Sequence, residues 1–552
     1  MIDSGRGTKA YLVGGGIAAL AAAAFLIRDG EFPGENIHVL EQLPLAGGSL
    51  DGRGSPERAY VTRGGRMLED EAYTCLWNLL ETIPTLDDEN VSVRDEIIRF
   101  NRDCPTRARA RLIDRDHRVL DAARLGLDAQ DRLELARLLV LPESVIGDRR
   151  IDQFFSEHFF ATNFWAMWRT TFAFQNWHSA IELKRYFLRF LQEFPRIHTL
   201  AGVRRTRLNQ YDSIVRPLTR WLQERGVRFE HGVTVTDVDF TEQDGIRRAK
   251  RLHLLRDGHR ESVELAELDL AFITLGSMTA DAAYGDDDTV PELIRDKRDG
   301  NWTLWETLSR KAPDFGQPAV FNGNVGEAAW ESFTLTMRSP ALLERIEEFS
   351  GNAPGTGALM TFKDSPWLMS IVVPRQPHFD GQPKDVFTLW GYGLFIDTPG
   401  EHTGTTMAES TGREILAELL GQLGFDDIAD EVRATTTVTT VMMPYITSQF
   451  ARRSVHDRPR VIPHGARNFA FLGQYVEIPE DVVFTVEYSV RGAMHAVYRL
   501  LGLDKPIPPV HHALSDPKTA FRALKTAFGH SGPWAPPADP AGPGMQDRPR
   551  RG

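Results

Sequence analysis

The sequence predicts an α/β protein in which a discontinuous nucleotide-binding domain carries an inserted domain and ends in a helical C-terminal segment. Three observations predict it. A glycine turn, Gly14-Gly15-Gly16, joins an apolar strand to an apolar helix. Two later blocks, 202–277 and 468–502, each contain a buried-strand pattern ending in glycine. The chain has 552 residues, 42% hydrophobic and 25% charged, which suits a globular protein of about three to four domain-sized units.

The elements follow in order. Ala10–Val13 reads as a strand, Ile17–Asp29 as a helix and Ile37–Leu40 as a second strand, with Pro33-Gly34 marking the loop between them. The uncharged run 10–27 is near the length of a membrane span, but three glycines interrupt it and Arg28-Asp29 closes it. In the second block, IVRPLTRWLQERG reads as a helix, followed by strands near 227–230, 233–240 and 252–256 and the buried strand LDLAFITLGS. The third block gives strand FAFLG and helix EYSVRGAMHAVYRLLG. Segments 9–125, 200–280 and 455–505 are therefore assigned to one discontinuous domain. Segments 126–199 and 281–454 are assigned to substrate-binding and lid regions, 506–530 to a helical segment, and the Pro- and Gly-rich 531–552 to a disordered tail.

Gly14-x-Gly16-x-x-Ala19 is a Rossmann-like dinucleotide fingerprint with Ala at its third position. Gly14 permits the tight turn, Gly16 lets backbone approach a pyrophosphate, and Ala19 lets the helix sit close to the strand. Glu41, ending the second strand, is placed to bind ribose hydroxyls. The later strands favour FAD over NAD, because they return to the cofactor from far along the chain. They put Val235, Thr274, Gly276, Ser277, Gly473, Phe484 and Ser489 forward as contacts. The early glycine loops add Gly48, Ser49 and Arg63-Gly64-Gly65-Arg66.

Residues 154–174 contain nine aromatic side chains, where the chain average of 10% would give about two. Such density serves either an aromatic core or an elongated apolar cavity. His178, Glu182 and Tyr186 follow at i, i+4 and i+8, on one face of a helix, and a tyrosine there is either a hydrogen-bonded core residue or a proton donor. A net charge of −12 without a basic cluster argues against nucleic acid. Two cysteines are too few for a disulfide framework or a four-thiolate metal site, and no metal is expected. No GxSxG, HExxH or GxxxxGK[ST] pattern occurs.

Taken together, the strings AYLVGGGIAALAAAAFLIRDG, ENIHVLE, GGSLDG, RGGR, TNFW, FAFQNWHSAIELKRY, NQYDS, YGDDDT, WTLWETL, MPYITS, RPRVIPH and VFTVEYSVRGAM resemble the oleate hydratase family, also called myosin-cross-reactive antigens, over about residues 9–510. The resemblance implies a hydro-lyase that adds water to the cis-9 double bond of a free unsaturated fatty acid. It implies bound FAD, most active when reduced, with no net redox change. It also implies that Tyr186, in KRY, protonates the alkene. The family's water-activating acid lies in a string RGGRE; here the string is RGGRM and the position holds Met67. Glu69 is the nearest replacement candidate in sequence: an extended loop would point it into the same space as Met67, whereas a helical one would put Glu71 on that face, and a third reading is that the water needs little activation. The family's fatty carboxylate lies near a glutamine, Gln210 here, and a Thr-x-Asn-x-x-x-His string, of which only His378 survives; Val372 and Pro374 hold the other two positions. Alternatives are a redox flavoenzyme of the amine oxidase or desaturase type, or a lipid-binding protein that has lost catalysis. Family members are commonly homodimers, and a monomer is equally compatible with the short termini. Two cysteines suit a cytoplasmic protein. Lys518–Phe528, amphipathic and basic, suits peripheral contact with the inner membrane face.

Overall fold

The computed structural model describes residues 7–65 and 67–512. Five strands, β1 (Ala10–Val13), β2 (Ile37–Glu41), β3 (Arg228–His231), β4 (Leu270–Thr274) and β5 (Phe469–Leu472), form one parallel sheet in the order β5-β4-β1-β2-β3. The three sequence blocks thus meet in a single sheet. β1, β2 and β5 are buried along their whole length, as expected of parallel strands covered on both faces. Helix α1 (Ile17–Gly30) links β1 to β2. It is buried without interruption from Ile17 to Leu26, which explains its all-round apolar sequence.

The inserted segments build a second sheet of seven strands. Its order is Ala283–Gly285, Thr436–Met443, Trp330–Met337, Phe387–Gly393, Ser370–Val372, Met360–Phe362 and Leu112–Ile113. All of its pairs are antiparallel except the last, where Thr361 pairs with Leu112. Leu112–Ile113 lies in a segment that sequence assigns to the nucleotide-binding domain, so the two domains are laced together there. A three-stranded antiparallel meander (Val233–Gln243, Ile246–Arg256, His259–Glu264) turns at Asp244-Gly245 and Asp257-Gly258, all four residues at positive φ, the geometry Asp-Gly hairpins favour.

Three further helices position the site: α2 (Asn163–Phe172), α3 (Ala180–Arg189) and α4 (Val486–Leu501), the last packed on α1. Among the described residues no helix is long and apolar enough to cross a membrane. The 10–27 run is β1 and a buried helix. Lys518–Phe528 and 531–552 lie outside the described residues.

Candidate active site

The C-terminal ends of β1, β4 and β5 converge on a cavity of about 110 Å³. Gly14, at φ +91°, makes the turn out of β1. Gly48 sits at φ +57°, and a Cβ there would lie 3.1 Å from the Gly16 Cα, so two loop backbones touch across the cavity edge. Gly16 caps α1 without a side-chain bond, and Gly16, Ile17 and Ala18 line the cavity. The first-turn N–H groups and the positive helix end are therefore available to phosphate.

Glu41 accepts from Gly15 N at 2.6 Å and from Leu43 N at 2.7 Å, and burial pushes its carboxyl above the usual range. Arg63 ties the rim together: it donates to Asp51 at 2.7 Å, to Gly48 O at 2.7 Å and to Thr279 O at 3.0 Å. Thr274 Oγ1 is buried without a partner and faces the cavity. A helix N-terminus, a carboxylate at the end of β2 and an orphaned hydroxyl are the donor and acceptor set that a dinucleotide requires.

Of the cofactor residues expected from sequence, Gly14, Gly16, Glu41, Gly48, Ser49, Arg63, Thr274, Gly276, Ser277, Gly473, Phe484 and Ser489 line this cavity. Ala19 does not; it is buried behind the turn, where it allows close helix packing. Val235 is buried on the strand Val233–Gln243 and is not among the residues that line this cavity. Gly64 and Gly65 line the two neighbouring cavities instead. Arg66 lies outside the described residues. Sequence reasoning missed Asp299, Gln474 and Tyr475, which carry no local signal.

A second cavity, about 90 Å³, shares Phe484, Thr485 and Val486 with the first. Its wall is mostly apolar: Met67, Phe172, Phe190, Trp330, Trp390 and Tyr392, with Tyr186 and Tyr73 presenting hydroxyls. Tyr186 is 1% exposed and donates to Val483 O at 2.5 Å. Phe172, Phe174 and Phe450 hold its ring with centroids at 5.1, 4.9 and 5.6 Å. The aromatic run divides accordingly. Phe159, Phe164, Trp165 and Trp168 stack among themselves and on Phe187 and Phe194 as core, while Phe172 reaches the cavity.

The proposed helix face is shorter than sequence suggests. His178 precedes α3, where its Nδ1 accepts from Gln175 N at 2.9 Å, and burial holds its pKa down at about 3. Glu182 is fully buried between Arg453 and Arg458, at 2.7 and 3.0 Å. Glu69 requires a correction. Met67 lines the Tyr186 cavity and Glu69 does not. The turn after Leu68–Glu69 folds the Ala72 N–H back onto the Glu69 carboxylate, with Arg196 at 4.0 Å on its other side. Burial pushes that carboxyl up to about 7. Among the described residues no Asp or Glu lines this cavity.

A third cavity, about 50 Å³, shares Gly64, Gly65, Arg205, Val372 and Trp390 with the second. Gln210 and His378 line it, together with Arg375 and Asn209. Both polar atoms of the Gln210 amide are buried without partners. His378 is held neutral, at about 3, first by burial and then by Arg205.

Three neighbouring cavities that share wall residues, one at a glycine cradle and one mostly apolar, are the architecture of a nucleotide-binding fold with an adjoining apolar chamber. The chain belongs to the MCRA family, whose model matches residues 7–498. It is 40% identical to an oleate hydratase of Streptococcus pyogenes serotype M49 (strain NZ131), over 94% of this chain and 89% of that protein. It is 32% identical to a linoleate hydratase of Lactiplantibacillus plantarum, over 94% of this chain and 98% of that protein. Among solved structures, its fold is similar to cyclohexylamine oxidase of Brevibacterium oxydans IH-35A, with a TM-score of 0.53 at 12% identity. That likeness covers 90% of this chain and 99% of the other. Putrescine oxidase gives a TM-score of 0.52 at 12% identity with the same coverage.

Proposed function

We propose that this chain is an FAD-dependent fatty acid hydratase that adds water to the cis-9 double bond of free unsaturated acids, converting oleate to 10-hydroxystearate. The observation that carries the reading is the row of neighbouring cavities that share wall residues, from the glycine cradle past Tyr186 to Gln210. An elongated acid fits such a path, with its alkene near Tyr186 and its carboxylate near Gln210.

Gly14, Gly16, Glu41, Gly48 and the N-terminus of α1 would hold the cofactor. When bound and reduced, FAD would supply negative charge beside the developing cation, with no net electron transfer. Tyr186 gives its phenolic proton to C9 of the alkene, and water attacks C10, where positive charge develops. The phenolate left behind is a base that the apolar wall solvates poorly. The cycle closes when the proton lost by the added water returns to it. Met67 needs no basicity in this scheme; it packs against the chain and excludes bulk water. The apolar wall fixes the depth of the alkene, and depth sets which carbon meets Tyr186.

The test is incubation of the FAD-loaded protein with oleate, with and without flavin reduction, followed by product mass. Addition of one water with no stoichiometric consumption of reductant is expected, with faster turnover after reduction. A product two hydrogens lighter than oleate would favour the redox alternative. The homodimer or monomer question and peripheral membrane contact are separate proposals, checked by sedimentation and by vesicle binding.

A further inference from the structure

The stretch Arg204-Arg205-Thr206-Arg207 puts three guanidiniums within four residues, and they meet different fates. Arg204 lies 2.6 Å from Asp70; Arg207 lies 2.9 Å from Asp87 and 3.0 Å from Glu96. Arg205 turns inward between them. Asn101 pins its backbone, accepting from Arg205 N at 2.9 Å and donating to Arg205 O at 2.7 Å. Its side chain lines both the Tyr186 cavity and the Gln210 cavity. Its Nε is buried without an acceptor, and among the described residues no carboxylate lies within 4 Å of it. Burial lowers its pKa to about 10, which leaves it cationic at neutral pH. Arg111, another buried guanidinium, adds repulsion.

An uncompensated buried cation is costly unless something pairs with it. The neighbours reinforce the point. Gln210 offers an unpartnered buried amide to the same space. Val372 and Pro374, on the same wall, have no side-chain donor. The other charged residues of that wall are Arg375, which is exposed, and Asp51, which pairs with Arg63 at 2.7 Å, so Arg205 supplies the inward positive charge.

We propose that Arg205 is the anchor for the substrate carboxylate, and that the carboxylate in turn neutralises Arg205 during hydration. The proposal rests on the fatty acid hydratase reading. Its second half follows from the shared wall: a lone guanidinium facing the cavity of Tyr186 would oppose positive charge developing at the alkene. A bound carboxylate cancels that opposition. The chain would then be restricted to free acids for two reasons, affinity and rate.

The test uses FAD-loaded wild type, Arg205→Met and Arg205→Lys. Two readouts are needed: hydration of oleate and of oleyl alcohol, and the Kd of stearate, which has no double bond to hydrate. In Arg205→Met, stearate affinity and oleate kcat/KM are expected to fall on the order of a hundredfold, the range of a charge-assisted pair. Oleyl alcohol should improve in kcat, because the opposing charge is gone. Arg205→Lys should retain part of the stearate affinity. If Arg205→Met binds stearate and hydrates oleate like wild type, the anchor is overturned and the hydratase reading stands. If wild type hydrates nothing but Arg205→Met still loses stearate binding, the hydratase reading fails and the anchor stands. If Arg205→Met does not fold, wild type decides: equal affinity for stearate and stearyl alcohol would overturn the anchor.

Discussion

Glu182 and Tyr186 lie one turn apart on α3 and stand beside two different polar regions. Around Glu182 the charges close on themselves. Arg453 and Arg458 reach its carboxylate, Arg185 pairs with Glu143 at 2.7 Å and Glu477 at 2.8 Å, and Glu182 stays ionised, at about 2, despite complete burial. Beyond Tyr186 the channel walls leave Gln210 and Arg205 with buried polar atoms that nothing in the described chain answers. The first region pairs its charges with opposite charges inside the protein, although single atoms such as Glu182 Oε2 and Arg458 Nε lack hydrogen bonds, and it holds α3 against segments 453–458 and 477–483. The second leaves its partners to be supplied from outside. Burial of charge alone therefore does not mark a site; burial of charge without an internal partner does.

The largest expected effect breaks the closed region. Glu182→Ala strands Arg453 and Arg458 without their carboxylate, and removing one partner of a buried pair costs about 3–5 kcal/mol. Thermal unfolding should show a large loss of stability. A variant as stable as wild type would mean that the cluster relaxes and contributes little to holding α3.

The next effect lies one turn along. Tyr186→Phe is expected to lose at least about a hundredfold in kcat, within the range of general acid catalysis. It should also lose about 1 kcal/mol of stability, because the Val483 carbonyl loses its donor. Tyr73→Phe is the sharpening control. Tyr73 lines the same cavity and is expected to change kcat less than about threefold. If the two variants exchange these outcomes, the proton comes from Tyr73.

Glu69 separates stability from catalysis. Its folded pKa of about 7 lies above the ordinary 4.5, so the folded state binds the proton more tightly than the unfolded chain does. Stability from this group is greatest below pH 4.5, falls as pH rises towards 7 and is flat above. Glu69→Gln keeps an acceptor for the Ala72 N–H and removes the charge. It should therefore be more stable than wild type at pH 8, by on the order of 2–3 kcal/mol, and no more stable at pH 4. Its kcat should stay within about threefold. A tenfold loss in kcat with FAD retained would instead show that this carboxyl reaches the water.

Much of this was legible in the chain. Gly14, Gly16 and Glu41 carry a spacing tied to backbone geometry, and the strands at 270–274 and 469–472 announce themselves by apolar runs ending in glycine. The inward turn of Arg205 was not legible: it sits between two surface arginines of identical type, and the residue that pins it, Asn101, lies 104 positions away. Glu69 was misplaced because alternation gives a side but not whether a following turn captures the side chain.

The smallest expected effect concerns Met67, where the wall of the Tyr186 cavity departs from the acid of the related RGGRE string. A thioether takes up no proton near neutral pH and accepts hydrogen bonds only weakly, so any contribution of Met67 must come from shape. Leucine is close in volume, and swaps of this kind in packed apolar surroundings cost less than about 1.5 kcal/mol. Met67→Leu is therefore expected to hold kcat within about threefold, with a small change in KM as the wall reshapes around the chain. Met67→Glu asks the converse question. In a wall where no described carboxylate stands, the new acid would be buried and largely protonated at neutral pH, so little gain in kcat is expected unless Arg205 or bound water draws it into its charged form. A large gain, rising with pH, would show that water activation limits the wild-type rate and that Tyr186 phenolate is not sufficient as the base. An unchanged rate across pH would place the limiting step at proton transfer to the alkene, where the Tyr186 hydroxyl and the charge on Arg205 act.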